Sequence, residues 1–197
     1  MARYDEEHKE VSRNQILDRA SERFRRDGIA AVGLRALMAD AGLTHGAFYS
    51  HFDSKADLVA AAFEHASDQT LNYFRRKIAS VPNDAKLELF IALYLRTLHR
   101  DNMAMGCATS ALLPEMARED AAMRKRVAEK NDALVDMIVE LLPPGGTELA
   151  RRNRASSVFA LILGTLQLTR VETDPEYSDR MIEAGREAAL QLARAPW

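Results

Sequence analysis

Five histidines and one cysteine are the side chains of this 197-residue chain best suited to covalent or metal chemistry. Their spacing argues against both. His8, His65 and His99 have no His, Cys or Glu pair at i, i+4 that would complete a metal site. His51 has the chemistry of a general base, but no nucleophile–carboxylate pair stands at helical spacing with it. The chain is therefore not expected to be an enzyme, and no cofactor or metal is expected. Cys107, being alone, excludes an internal disulfide. It follows Met105-Gly106 and opens a short helix, a position that favours the thiolate, yet no Lys or Arg adjoins it. Two readings stand for it: buried packing or pocket lining, and a thiol that senses electrophiles or oxidants.

The residues that form a coherent set are Thr44-His45-Gly46-Ala47-Phe48-Tyr49-Ser50-His51-Phe52. On a short helix Phe48 and Phe52, four apart, share a face and anchor it to a core. His45, Gly46, Ala47, Tyr49 and Ser50 are then left outward, and this face suits a DNA major groove. Thr44 offers a hydroxyl and backbone N–H groups to a phosphate. Gly46 and Ala47 permit close approach, and Ala47 can touch a thymine methyl. Tyr49 can reach a phosphate, His45 and Ser50 base edges. His51 is a phosphate or packing residue, Lys55 a phosphate clamp, and Arg35 long enough for a base or a phosphate.

Positioning such a helix requires a partner helix and a tight turn. Leu34–Ala41, with Leu37 and Met38 inward, is followed by Gly42-Leu43 and then by Thr44: the arithmetic of a helix-turn-helix. A first helix is expected from an N-cap at Ser12 to Asp27-Gly28, after a polar, flexible arm over residues 1–11. Ser54 should cap a long helix reaching about Ser80. Further helices are expected over Ala85–Leu98, a short stretch containing Pro114, Met123–Leu142, Leu149–Leu168 and Glu176–Arg194, with a loop over 99–108. The pattern predicts an all-α protein of nine helices. Residues 12–54 would form the helix-turn-helix domain and residues 55–197 a second domain for ligand binding and dimerisation. Because the boundary falls at the long helix, that helix can act as a rigid rod between the two.

The whole-chain balance is permissive. The net charge is −2, with 28% charged and 47% hydrophobic residues. Residues 11–55 carry seven Lys/Arg against five Asp/Glu, a mild basic footprint. Met1–Glu10 does not read as a secretory signal, and Val158–Leu166 is too short to span a bilayer, so a cytoplasmic protein without membrane contact is expected.

The stretch Gly42–Leu58, G-L-T-H-G-A-F-Y-S-H-F-D-S-K-A-D-L, resembles the signature of the tetracycline-repressor (TetR) family. The resemblance is recognisable in sequence over about residues 12–60 and extends to the whole chain in layout. It implies a homodimer built mainly by the last two helices as a four-helix bundle, binding a pseudo-palindromic double-stranded DNA operator. It also implies a cavity for a small effector, here expected to be largely apolar, whose binding shifts the long helix and releases the operator. Phe90, Tyr94, Met103, Met105, Cys107, Met116 and Met137 lie where such a cavity would be, with Tyr94 its polar handle. The alternatives are a helical small-molecule-binding protein that has lost DNA binding, an electrophile sensor acting through Cys107, and an interaction module defined by its dimer surface.

Overall fold

The computed structural model describes residues 2–197. Among the described residues nine α-helices and two short 3-10 turns make up the fold, and no strand occurs. Helix α1 runs over Ala2–Asp27, so residues 2–11, expected as an arm, continue the first helix. The reason is local: no Gly or Pro precedes Gly28, and Glu6, Glu7, Lys9 and Glu10 are good helix formers. Met1, also assigned to that arm, lies outside the described residues. Gly28 ends α1 at φ 82°, its N–H donating to Phe24 O at 2.9 Å.

Helix α2 spans Leu34–Asp40, with Leu37 and Met38 buried. Gly42, at φ 72°, turns the chain, and Leu43 N–H returns to Met38 O at 2.9 Å. The next element differs from expectation. His45–Ser50 is a six-residue 3-10 helix rather than a two-turn α-helix from Thr44 to Phe52. It is too short to gain from helical cooperativity, and Gly46 weakens α-helix further. The segment is fixed instead by Phe48 and Phe52, both buried. Ser54 caps α3 (Lys55–Ile78) as expected: Asp57 N–H donates to Ser54 Oγ at 3.1 Å while the Asp57 carboxylate accepts from Asp53 N–H at 3.4 Å.

After Pro82 comes α4 (Asn83–Tyr94), which stops four residues short of the expected Leu98 because Leu95 leaves helical geometry. The expected loop is largely ordered into α5 (Thr97–Asp101) and a 3-10 turn, Met103–Met105. Helix α6 (Ala108–Met116) carries Pro114 near its end. Asp120 caps α7 (Ala121–Leu141), Thr147 caps α8 (Glu148–Val171), and Asp174 caps α9 (Pro175–Arg194), which starts on a proline.

Two buried clusters organise these helices. The first gathers Ile16, Phe24, Leu37, Phe48, Phe52 and Leu58 with Leu112 and Met116 of α6. The second gathers Phe74, Phe90, Tyr94, Met137, Val158 and Ile182 from α3, α4, α7, α8 and α9. Arg126 of α7 grips Glu64 of α3 at 2.6 and 3.0 Å, a bidentate pair that holds the Glu64 carboxyl below its ordinary range. No helix of the described residues is long and apolar enough to cross a membrane.

Candidate functional site

The face opposite Phe48 and Phe52 is open. Those two rings stack at 5.8 Å, and the Arg13 guanidinium lies 4.9 Å over Phe52. With the aromatic side fixed inward, Thr44, His45, Gly46 and Ser50 are exposed, Ala47 is half-buried, and Tyr49 is 65% exposed. The His45 ring stands edge-on to Tyr49 at 6.1 Å. A Cβ added at Gly46 would meet nothing within 4 Å, so the surface there is flat enough for another molecule's backbone. Thr44 Oγ1 makes no cap hydrogen bond. Ser50 Oγ donates to Ala47 O at 2.7 Å, leaving its lone pairs as acceptors. Arg35 is exposed one residue into α2.

Lys55 and His51 sit differently from the rest. Lys55 Nζ donates to Ile29 O at 2.8 Å, so part of its donor capacity ties α3 to the α1–α2 connection. His51 is half-buried, and its Nδ1 has no hydrogen-bond partner among the described residues. Burial first, then Lys9 and Arg13, lower its pKa and favour the neutral ring. The arginines at the end of α1 diverge: Arg23 pairs with Asp40 of α2 at 2.7 Å, Arg26 pairs with Asp27, and Arg25 turns inward.

Arg25 leads to the second site, a cavity of about 680 Å³ among α1, α3, α4 and the α5–α6 segment. Tyr73, Phe74, Leu93, Leu98, Met105 and Cys107 supply its apolar wall; Arg25, Arg76, Arg96, His99, Gln69, Asn72 and Asn102 supply polar groups. The wall thus combines apolar surface with polar and cationic groups. Of the residues expected there, Met105 and Cys107 line the cavity. Phe90 and Tyr94 stand one layer behind, packed on Phe74 at 5.1 and 5.9 Å. Three methionines fall elsewhere. Met103 lies in a separate surface groove beside Arg100 and Asp101. Met116 belongs to the first core cluster and Met137 is buried in the second. Methionine fits any irregular apolar gap, so residue type did not distinguish wall from core. Tyr94 is fully buried and its hydroxyl has no hydrogen-bond partner among the described residues; burial, then Cys107 beside it, hold its pKa well above the ordinary value.

His99 organises the inner wall. Cys107 N–H donates to its Nε2 at 3.0 Å, so Nδ1 carries the proton and donates to Tyr94 O at 2.7 Å. Burial foremost, joined by Arg170, Arg96 and Arg25, lowers its pKa to about 4, and the ring is neutral at pH 7. A Cβ on Gly106 would come within 2.8 Å of that ring, which explains the glycine before Cys107 by close packing. Cys107 is 4% exposed. Arg25 Nη1 donates to Gly106 O at 2.7 Å, joining α1 directly to this wall. Sequence reasoning missed Arg25, Arg96 and His99, because the signal for them is their convergence in space. Among the described residues no group of three His, Cys, Asp or Glu could hold a metal ion.

Residues 16–62 match the family of bacterial regulatory proteins, tetR family. Over 64 residues the chain is 38% identical to the HTH-type transcriptional regulator TtgR of Pseudomonas putida, covering 32% of this chain and 30% of that protein. This match therefore spans less than a third of the relative's length. The fold extends further. A TetR-family regulator from Cytophaga hutchinsonii superposes with a TM-score of 0.79 at 20% identity, covering 96% of this chain and 98% of that one. The reduced form of NemR from E. coli gives 0.78 at 17% identity, covering 94% and 98%. Identities this low speak for the shared fold alone.

Proposed function

Since this chain belongs to the TetR family of regulators, we propose that it is a sequence-specific DNA-binding repressor whose operator affinity is set by a small molecule in the cavity. The observation that carries the reading is the exposed row Thr44, His45, Gly46, Tyr49 and Ser50, held outward by the buried Phe48–Phe52 stack. Such a row, on the second helix of a helix-turn-helix, has the size and donor set to enter a major groove. Tyr49 and Thr44 address phosphates, His45 and Ser50 base edges, and Ala47 a thymine methyl. Arg35 and Lys55 add cationic contacts on either side.

Two copies are needed to read a pseudo-palindrome, with half-site centres about 34–36 Å apart. Helices α8 and α9 are the proposed seam. Leu168 and Val171 are exposed on α8, Tyr177 on α9, and Ala160, Gly164 and Ala184 leave room between them. Binding in the cavity would alter the spacing of the two reading heads through α3, which runs from Lys55 beside the head to Phe74 in the cavity wall.

Footprinting on the DNA upstream of the gene tests the reading. The native chain should protect a two-fold symmetric site, and Tyr49→Ala should bind it at least tenfold more weakly while remaining dimeric by light scattering. Unchanged affinity in that variant would remove the assigned face from the interface.

A further inference from the structure

From the charges that line the cavity, we infer that its ligand is an organic acid: an apolar body against Tyr73, Phe74 and Leu93, and a carboxylate held by Arg96 and Arg25. This rests on the cavity being the effector site proposed above.

Three arginines line the cavity, Arg25, Arg76 and Arg96, and no Asp or Glu among the described residues does. Elsewhere the chain pairs its guanidiniums freely with carboxylates: Arg23 with Asp40, Arg100 with Asp179, Arg126 with Glu64, Arg152 with Asp136. Among the described residues none of the three cavity arginines has an acidic partner within salt-bridge distance. Arg25 is buried and satisfied only by neutral acceptors, Gly106 O at 2.7 Å and Ser21 O at 2.9 Å; its Nη2 reaches Ser21 Oγ at a long 3.5 Å. Arg96 packs its guanidinium 5.4 Å over Tyr73, and its Nε is buried with no hydrogen-bond partner. Arg170, just behind the wall, is likewise bonded only to neutral oxygens: the carbonyls of His99, Arg100 and Ser110 and the Ser110 hydroxyl.

Arg25 is buried and Arg96 half-buried with no carboxylate within salt-bridge distance, Glu22 and Asp18 acting on Arg25 only from farther away. Cations so placed are costly, and an anion entering the cavity lowers that cost. Neutral His99 adds no positive charge of its own, so the arginines set the sign of the site. A planar guanidinium with unused N–H groups matches a carboxylate in bidentate geometry, which a neutral polar group cannot reproduce. The rest of the wall selects the body. Tyr73, Phe74, Leu93 and Leu98 offer apolar and aromatic surface, and a space of about 680 Å³ falls in the range that encloses a drug-sized molecule. The rim at Asn72, Arg76 and Asn102 is exposed, which provides an entry and a third cation to steer an acid inward.

Isothermal titration of the full-length protein with three matched series decides the matter: C6–C12 alkanoic and arylacetic acids, their primary amides, and the corresponding amines. The expected result is that at least one acid binds tenfold or more tighter than its own amide, with the amine weaker still. Arg96→Gln should erase that ratio with the melting temperature retained, and Arg96→Lys, keeping a cation, should restore part of it. Amides equal to acids throughout, amines the tightest series, no acid bound at all, or a ratio indifferent to Arg96→Gln would each overturn the inference. Footprinting on the same samples separates it from the function proposed above. Acid preference without DNA protection would sink the repressor reading alone; DNA protection without acid preference would sink this one alone.

Discussion

The reading head and the cavity solve opposite problems with neighbouring residues. In the head the buried side is apolar and the polar groups face solvent: Phe48 and Phe52 inside, Thr44, His45, Tyr49 and Ser50 outside. Around the cavity the polar groups turn inward: Arg25, Arg96 and His99. The two arrangements meet on α1, where Phe24 packs into the head's core and the next residue, Arg25, donates to Gly106 of the cavity wall. The head is thus coupled to the cavity at two places, along α3 and across this contact. The contrast also separates the energetics. The head draws its stability from burial, whereas the cavity region carries charges whose cost a ligand can offset.

The sharpest way to break this contrast is to remove an anchor of the head. Phe48 is fully buried, and Phe48→Ala should cost about 3–5 kcal/mol. Only the head should suffer at moderate denaturant. The single tryptophan, Trp197, donates to Pro144 O at 3.0 Å in the other region, so its fluorescence follows that part of the molecule and circular dichroism follows both. Urea titration should show helix signal lost before the Trp197 transition in the variant. Coincident transitions would mean that the two regions unfold as one unit.

The next effect is on the cavity side and runs with pH. His99 holds its proton far less tightly when folded, with a pKa of about 4 against the ordinary value of 6.5. The unfolded chain therefore takes up this proton first on acidification. The His99 contribution is complete above pH 6.5, declines as pH falls toward 4, and is fully lost below that; the span amounts to about 3 kcal/mol. Glu64, depressed by Arg126, adds its own loss as pH falls through about 4.5, where the unfolded carboxyl is half-protonated. Urea midpoints between pH 7 and 4.5 should fall in the native chain and stay flatter in His99→Gln. Parallel curves would remove His99 from the pH response.

How much of this was legible in the chain follows the same division. The head is contiguous: Gly42, the Phe48/Phe52 spacing and the Ser54 cap are local signals, and each appears in the structure where the sequence places it. What the head's sequence did not reveal is its backbone type, because α and 3-10 geometry differ little in a six-residue segment fixed by two aromatic side chains. Nor did it reveal that Lys55 is engaged by Ile29 O, a contact across 26 residues. The cavity is assembled from residues between Arg25 and Cys107, and no periodicity links an arginine late in α1 to a glycine 81 residues later. Apolar pattern located the helices that surround it. It could not tell Met105, on the wall, from Met116 and Met137, in the cores.

The smallest effect probes the seam proposed between copies. Gly164 of α8 and Gly185 of α9 are both helical, but a Cβ at Gly185 would collide with Thr165, whereas at Gly164 it would meet nothing within 4 Å of the same chain. Within one chain, Gly164→Ala should therefore only gain, by about 0.5–1 kcal/mol, from reduced backbone freedom when unfolded. If the exposed row of Ala160, Gly164 and Leu168 closes on a second copy, the added methyl instead occupies space that the partner's helix needs. The expected outcome is a melting temperature above that of the native chain at nanomolar protein, where monomer prevails, and an advantage that shrinks or reverses at tens of micromolar. Gly185→Ala, strained inside one chain, should lose stability at every concentration. A gain from Gly164→Ala that is the same across the whole range would place the seam on another face.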